Sequence, residues 1–270
     1  MVYFVIALPQ EAKPLIGHYR LKAVPGANSI KVYEGEDKRL VVSGVGKIRS
    51  ANATAFLHAF SGSVRNCVWI NIGIGGHCGR RIGEGIMAHK ITDEISGKNW
   101  YPPIAIESSC ETESILTVER SETRYRGSWV YEMEASGFYD TALQFSSGEL
   151  VHCYKVISDN HTSPSKQVSG VLVERLIGAN LKTIEEIVKK LTKLAFKLPK
   201  VGIVPNEFHK FLERWHFTVT EQHRLRRLLA RFRTLEPKAE IFQGELNSLP
   251  QSKDVLHFLE HKICSLPVTL

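Results

Sequence analysis

The amino-acid sequence predicts an α/β fold, in which helices flank a central mixed, largely parallel β-sheet and a helical extension follows at the C-terminus. Short, continuous apolar runs, typical of strands buried on both faces, alternate with helical patterns. A long amphipathic stretch closes this alternation near residue 196. Strands that alternate with helices indicate an α/β domain with parallel strand pairing. Two prolines in LPKVGIVP, residues 198–205, then separate this region from a second helical one.

Two buried strands, a hairpin and a helix are predicted in the first part of the chain. VYFVIAL, residues 2–8, is an apolar run of β-formers, and NCVWINIGIGG, residues 66–76, is a second one that ends in glycines. Between them, SIKVYEG and RLVVSGVG flank the turn-like EDK, which predicts a β-hairpin. GKIRSANATAFLHAF, residues 46–60, predicts a helix. We expect its apolar face to consist of Ile48, Ala51, Ala55 and Phe56.

The next part of the chain adds short strands, one further buried strand and the closing helices. After a region of short strands, SWVYEME is followed by a predicted helix over residues 134–147. LVHCYKVISD, residues 150–159, is an apolar run that predicts a strand. The stretch from Val168 to Phe196 predicts one long amphipathic helix or a helix pair.

Composition favours a globular protein of the cytoplasm. The 270 residues are 43% hydrophobic and 23% charged, which is ordinary for a globular protein. No run approaches the 18 apolar residues of a membrane span, and MVYFVIALPQEAK lacks the basic leader of a signal peptide. Five scattered cysteines without a C-x-x-C pair predict reduced thiols. The net charge of +7 favours anionic ligands but is too small to assert nucleic-acid binding.

Acidic and small residues lie just after the predicted strands, where ligands bind in α/β sheets. The residues at these positions are Glu11, Gly73–Gly76, Glu132, Glu134, Ser158 and Asp159. Helix capping is the simpler alternative, because acidic residues at a helix N-terminus gain about 0.3–1 kcal/mol and aspartate is a common N-cap. The convergence of several strand ends favours a ligand-binding site.

Five segments occur in an order that is similar to a known enzyme superfamily. ALPQEAKPL follows the first strand, and SGVGKIRSANAT, NIGIGG, YEMEA and KVISD come after it in turn. Together they resemble the purine nucleoside phosphorylase/uridine phosphorylase superfamily, and they look closest to its 5′-methylthioadenosine/S-adenosylhomocysteine nucleosidases. Those enzymes carry a glutamate after strand one and the patterns S-G-[IV]-G-K, N-x-G-x-[AG]-G, V-E-M-E-A and [AV]-I-S-D. The resemblance implies a nucleoside phosphorylase-like α/β domain over residues 1–197 and leaves residues 198–270 as a helical C-terminal extension.

The resemblance implies cleavage of the N-glycosidic bond of a purine nucleoside of the adenine type. The transition state resembles a ribosyl oxocarbenium ion, which requires a base to direct water, an acid for the departing purine and an anion near the sugar. Carried over by motif, Glu11 is the base and Asp159 donates a proton to the purine. Glu134 holds the ribose hydroxyls and Glu132 supports it. The implied substrate-binding residues are Gly75, Glu132, Met133, Glu134 and Ser158.

The same comparison favours hydrolysis over phosphorolysis. A phosphorylase binds phosphate through arginine and N–H donors, and the phosphorylases of the superfamily use a G-D-P-x-R loop after strand one. Here the loop is LPQEAK, Asn71 occupies an arginine position and Ile74 a hydroxyl position. Ile74 also departs from the serine of the nucleosidases, the region between Gly76 and Glu132 is shorter, and Lys155 stands where they usually have arginine. Phosphorolysis and a non-catalytic nucleoside-binding protein therefore stay as alternatives.

We expect catalysis without a metal or an organic cofactor, and no membrane partner. The resemblance implies a homodimer or a higher homo-oligomer, because members of the superfamily often complete the active site with a neighbouring subunit.

The extension has its own apolar residues and a basic helix. TEQHRLRRLLARFRTL, residues 220–235, predicts a helix with Thr220 as N-cap. Its apolar stripe consists of Leu225, Leu228, Leu229 and Phe232. Five arginines favour a solvated basic face or an acidic partner, with nucleic acid as the less favoured alternative. We also expect the extension to pack on the α/β domain or on a partner through Phe208, Phe211, Leu212 and Trp215.

Overall fold

The computed structural model of the chain describes residues 1–25, 30–63, 66–122, 124–165, 168–198, 207–236, 239, 241, 246 and 248–266. Contacts divide the chain into two units, Met1–Leu198 and Pro199–Leu270. The predicted break LPKVGIVP lies outside the described residues except for Leu198. In the described part of the chain, no helix is long and apolar enough to cross a membrane.

The first unit alternates strands and helices, as the apolar runs predict. Its described strands are β1 (Val2–Ile6), β2 (Lys22–Ala23), β3 (Lys31–Glu34), β4 (Lys38–Val42), β5 (Val68–Gly76), β6 (Gly85–Asp93), β7 (Asn99–Trp100), β8 (Glu111–Thr117), β9 (Val130–Glu132) and β10 (Val151–Asp159). Its described helices are α1 (Pro9–His18), α2 (Lys47–Phe60), α3 (Ala135–Ala142), a short 3₁₀ turn (Gly148–Leu150), α4 (Gly170–Ala179) and α5 (Leu181–Lys197).

The sheet is mixed and partly closes on itself. β1 pairs in parallel with both β4 and β5, and the predicted hairpin of β3 and β4 extends one edge. On the other side, β5 pairs in parallel with β10, β10 antiparallel with β6, and β6 in parallel with β8. β8 then pairs with β9, which returns to β5. These five strands form a small closed barrel. The sheet is mixed, as predicted, but its parallel and antiparallel pairings are balanced, so it is not the largely parallel sheet that the sequence predicts. Apolar runs reveal that a strand is buried but not which strand it pairs with.

Helices cover both faces of β1, because alternate residues of the strand point in opposite directions. Val2, Phe4 and Ile6 pack with residues of α1, α4 and α5, whereas Tyr3 and Val5 pack with residues of α2 and α3. This two-sided burial explains why β1 is continuously apolar. It also places the residues that follow β1 at the edge where β5 and β10 end.

Two helix predictions in the first unit need correction. The buried face of α2 includes Ala53 and Leu57, whereas Ile48 is 71% exposed. Ser50 and Thr54 also lie on the buried face, where the Thr54 hydroxyl donates to the Ser50 carbonyl, so this face looks polar in the sequence. The helix predicted over residues 134–147 ends earlier, at Ala142.

The second unit contains the described helices α6 (Glu207–Arg214), α7 (Val219–Leu235) and α8 (Ser252–Ser265). Its aromatic residues on α6 and in the following turn pack with Leu225, Leu229 and Phe232 of α7 and with α8, so this unit has an apolar core of its own. The N-cap of α7 is Thr218 and not the predicted Thr220. Thr218 and Glu221 form a reciprocal capping box, which favours the earlier start.

Candidate active site

A cavity of about 160 Å³ lies at the carboxyl ends of β1, β5, β9 and β10. It contains all seven residues that the sequence predicts for the site. The cavity is lined by Ala7, Leu8, Glu11, Val45, Ile74, Gly75, Gly76, Val118, Ser121, Glu122, Tyr131, Glu132, Met133, Glu134, Ser158 and Asp159.

Glu11 is held across the end of the sheet by two backbone donors. Its Oε2 accepts a hydrogen bond from the Leu8 N–H at 2.8 Å, and its Oε1 accepts one from the Ile74 N–H at 2.9 Å. The residue is only 3% exposed, so it is not a solvated residue of the first helical turn. Burial raises the pKa of Glu11, while Lys155 and the backbone donors oppose this rise. Although Ile74 brings no side-chain hydroxyl, its backbone supplies a polar contact.

Glu132 supports the site from beneath. Its Oε2 lies 2.7 Å from Lys155 Nζ, and both side chains are 1% exposed. Its carboxylate also accepts from the Thr117 hydroxyl at 2.6 Å and from the N–H of Ala135 at 2.8 Å, so it caps α3. Burial opposes the charge on Lys155, but Glu132 and Glu134 outweigh it and raise the pKa of Lys155.

Glu134 occupies the N-cap position of α3, yet its side chain does not cap that helix. Instead, its Oε1 accepts from the N–H of Gly46, at the start of α2, at 2.8 Å. Its Oε2 lies 4.0 Å from Lys155 Nζ. Burial, assisted by the neighbouring Glu132 charge, raises the pKa of Glu134 to about 7, against the opposing effect of Lys155. Both glutamates of YEMEA border the cavity, but Glu132 is paired with Lys155 at 2.7 Å, whereas Glu134 lies 4.0 Å from it.

Two glycines of β5 allow the carboxylates to approach the strand. A Cβ atom at Gly73 would lie 2.9 Å from Glu11 Oε1, and one at Gly76 would lie 2.6 Å from Asp159 Oδ2. Both distances are too short for a side chain, so NIGIGG is glycine-rich because of close packing. Gly73–Gly76 belong to β5 itself and not to a loop after it.

Asp159, the last residue of β10, is held by two hydroxyl groups. Ser158 Oγ donates to Oδ1, and Tyr125 OH donates to Oδ2. Ser158 Oγ also lies 3.4 Å from the Gly75 carbonyl oxygen. Asp159 caps no described α-helix, because the next described α-helix, α4, starts at Gly170 with Ser169 as its N-cap. Tyr125 was not predicted: it comes from the shortened region before β9, and only the fold brings it to Asp159.

The described residues that line the cavity include five acidic side chains and no lysine or arginine. Asn71, which stands at an arginine position of the phosphorylases, is buried and donates to the Val5 carbonyl at 2.9 Å. Met133 adds a half-buried apolar wall. Such a cavity favours positive charge and disfavours anions.

Several solved structures are similar to this chain. The 5′-methylthioadenosine nucleosidase from Arabidopsis thaliana aligns with a TM-score of 0.56 at 17% identity, over 69% of this chain and 95% of that chain. The 5′-methylthioadenosine/S-adenosylhomocysteine nucleosidase from S. pneumoniae, solved with a transition-state inhibitor, aligns with a TM-score of 0.55 at 16% identity, over 70% and 99%. Futalosine hydrolase of Helicobacter pylori aligns with a TM-score of 0.54 at 13% identity, over 70% and 97%.

No protein-family model and no curated protein matches the sequence. The structural similarity, at these identities, concerns the fold. It spans nearly the whole of each of these solved structures. The chain has the fold of these solved nucleosidases, as the resemblance of its motifs implies.

Proposed function

We propose that the protein hydrolyses the N-glycosidic bond of a purine nucleoside of the adenine type. The observation that carries this proposal is the acidic cavity, in which Glu11, Glu134 and Asp159 come together from three separate segments, with no basic side chain among the described lining residues. Glycosidic cleavage builds positive charge on the sugar, and fixed carboxylates stabilise such charge. The fold of the solved nucleosidases supports the same reaction.

Each carboxylate has one role in the proposed reaction. Glu11 accepts a proton from water as the water oxygen bonds to the anomeric carbon. The bond between that carbon and the purine nitrogen breaks, and the electron pair leaves with the purine. Asp159 must hold a proton when the nucleoside binds; it gives this proton to the departing purine and becomes a carboxylate. Glu134 accepts hydrogen bonds from the ribose hydroxyls. Two backbone donors hold Glu11 in a fixed orientation for this task.

Water is the better nucleophile for this cavity than phosphate. A phosphate ion would enter among five carboxylates, without an arginine or lysine among the described lining residues to bind it. Lys155, a buried cation, is already paired with Glu132 at 2.7 Å. This arrangement supports hydrolysis over phosphorolysis.

The second candidate is a nucleoside-binding protein without turnover. Two residues support this candidate. Ile74 brings no hydroxyl to the site, and the Tyr125 hydroxyl already donates a hydrogen bond to Asp159. The two candidates differ in whether the protein cleaves the glycosidic bond, and only the hydrolase needs Glu11 for that step.

Release of free base from a panel of purine nucleosides separates them. We expect turnover by the wild-type protein, and we expect Glu11→Gln to lower kcat by about 10²–10⁴-fold while ligand still binds. Glu174→Gln, at an exposed glutamate paired with Lys13, is the matched control and should keep full activity. Binding without turnover in the wild-type protein would favour the second candidate.

A further inference from the structure

The Tyr125 hydroxyl is hydrogen-bonded to Asp159, the carboxylate that is proposed to contact the departing base. The hydroxyl donates to Asp159 Oδ2, while Ser158 donates to Oδ1, so both oxygens of Asp159 already accept a hydrogen bond within the protein. Burial and the Asp159 charge raise the pKa of Tyr125, so the hydroxyl keeps its proton and remains a donor.

The Tyr125 ring is packed against the cavity wall. A Cβ atom at Gly76, a lining residue, would lie 2.6 Å from Tyr125 Cε1 as well as 2.6 Å from Asp159 Oδ2. The ring is flanked by Tyr131 and His161, with centroids 5.8 Å and 5.4 Å away. Tyr125 is thus placed by ring contacts and by one charge-assisted hydrogen bond.

The backbone of Tyr125 lies in the left-handed region, with φ of 40°. This conformation is unfavourable for a bulky residue and persists only where surrounding contacts hold it. The hydroxyl bond to Asp159 is one of the contacts that hold this residue in place. The cavity volume of about 160 Å³ is also below the roughly 300 Å³ at the lower end for ligand pockets.

We propose that Tyr125 competes with the leaving base for Asp159, so that a nucleobase binds only by displacing the Tyr125 hydroxyl. A protonated ring nitrogen or an amino group of a purine donates to a carboxylate as the phenol does, and both cannot take the same position on Oδ2. Tyr125 therefore sets the affinity of the site for the base. This inference rests on the proposed role of Asp159 as the group that contacts the base.

The test is adenine binding by calorimetry to the wild-type protein, Tyr125→Phe and Tyr154→Phe. Tyr125→Phe keeps the ring and removes only the competing hydroxyl, so we expect adenine to bind about tenfold more tightly. Tyr154→Phe removes another buried tyrosine hydroxyl, bonded to Asn180 at 2.7 Å and outside the cavity, and should bind adenine as the wild type does. In an Asp159→Ala background, Tyr125→Phe should change nothing, because no carboxylate remains to compete for.

Unchanged or weaker adenine binding by Tyr125→Phe would overturn the proposal. Wild-type turnover of nucleosides, measured in parallel, tests the proposed function separately. If the wild type turns over nucleosides but Tyr125→Phe binds adenine with unchanged affinity, only the role of Tyr125 is rejected. If Tyr125→Phe binds adenine more tightly but the wild type shows no turnover, only the proposed hydrolysis is rejected. If neither the wild type nor Tyr125→Phe binds adenine, the role of Tyr125 and the assignment of adenine as the base are both contradicted.

Discussion

Lys155 lies beneath the site between Glu132 and Glu134, with its Nζ at 2.7 Å and 4.0 Å from their carboxylates. A buried carboxylate without a partner is costly, because the interior cannot replace its hydration. Lys155→Met would leave Glu132 uncompensated, and we expect the free energy of unfolding to fall by about 3–5 kcal/mol. Lys155→Arg keeps the charge and should be less destabilising, which urea unfolding can measure. Equal stability of Lys155→Met and the wild type would show that the charge is not needed.

Glu134 should make stability depend on pH. Burial raises its pKa in the folded state to about 7 from the ordinary 4.5, so the folded protein holds this proton more tightly than the unfolded chain does. The free energy of unfolding should therefore fall as pH rises from about 4.5 to about 7, by at most about 3 kcal/mol from this group. Glu134→Gln should remove that part of the fall, whereas Glu174→Gln should keep the wild-type profile. Parallel profiles for Glu134→Gln and the wild type would refute the argument.

At the scale of elements, α2 and α3 meet at Gly137. A Cβ atom there would lie 2.0 Å from the Lys47 carbonyl oxygen, a backbone atom that cannot turn aside. Gly137→Ala should separate the two helices and cost about 1–3 kcal/mol by overpacking. Gly178, in α4, has no atom within 4 Å of such a Cβ, so Gly178→Ala should be neutral or stabilising. Thermal unfolding of both variants measures the difference, and equal melting temperatures would count against this helix contact.

Local sequence patterns predicted the strands and helices better than they predicted which strands pair with each other. β1, β5 and β10 were predictable because they are buried on both faces and therefore apolar throughout. The cavity-lining residues were predictable from the motifs of the resemblance, which lie at or near strand ends. The barrel closure from β9 to β5, the pairing of Lys155 with Glu132 and the contact of Tyr125 with Asp159 were not. Each joins segments whose meeting depends on strand register, which residue composition does not encode.

At the scale of the whole molecule, the two units have separate apolar cores. We infer that the chemistry belongs to the first unit, since all the residues lining the described cavity precede residue 160. A chain truncated after Leu198 should stay folded and keep the activity of the full chain, as judged by circular dichroism and base release. A folded but inactive truncated protein would show that the extension belongs to the site.

Light scattering should show at least a dimer, and a monomeric mass would oppose the predicted oligomer.

The basic helix α7 is partly neutralised within its own unit. Arg224 pairs with Glu260 at 2.7 Å, and Arg226 stacks over the Phe208 ring, 4.7 Å from its centroid. Arg227 and Arg231 are exposed. We expect weak DNA or RNA binding at most. Tight binding that weakens steeply with salt and is lost in Arg227→Ala/Arg231→Ala would instead favour the nucleic-acid alternative.

The sugar product formed in excess inorganic phosphate tests the central claim most directly. A phosphate ion in the described cavity would meet carboxylates and no basic lining side chain. Glu11, by contrast, is positioned to direct water. We expect free base and free sugar, in equal amounts and at a rate that added phosphate does not increase. Sugar 1-phosphate among the products would contradict hydrolysis.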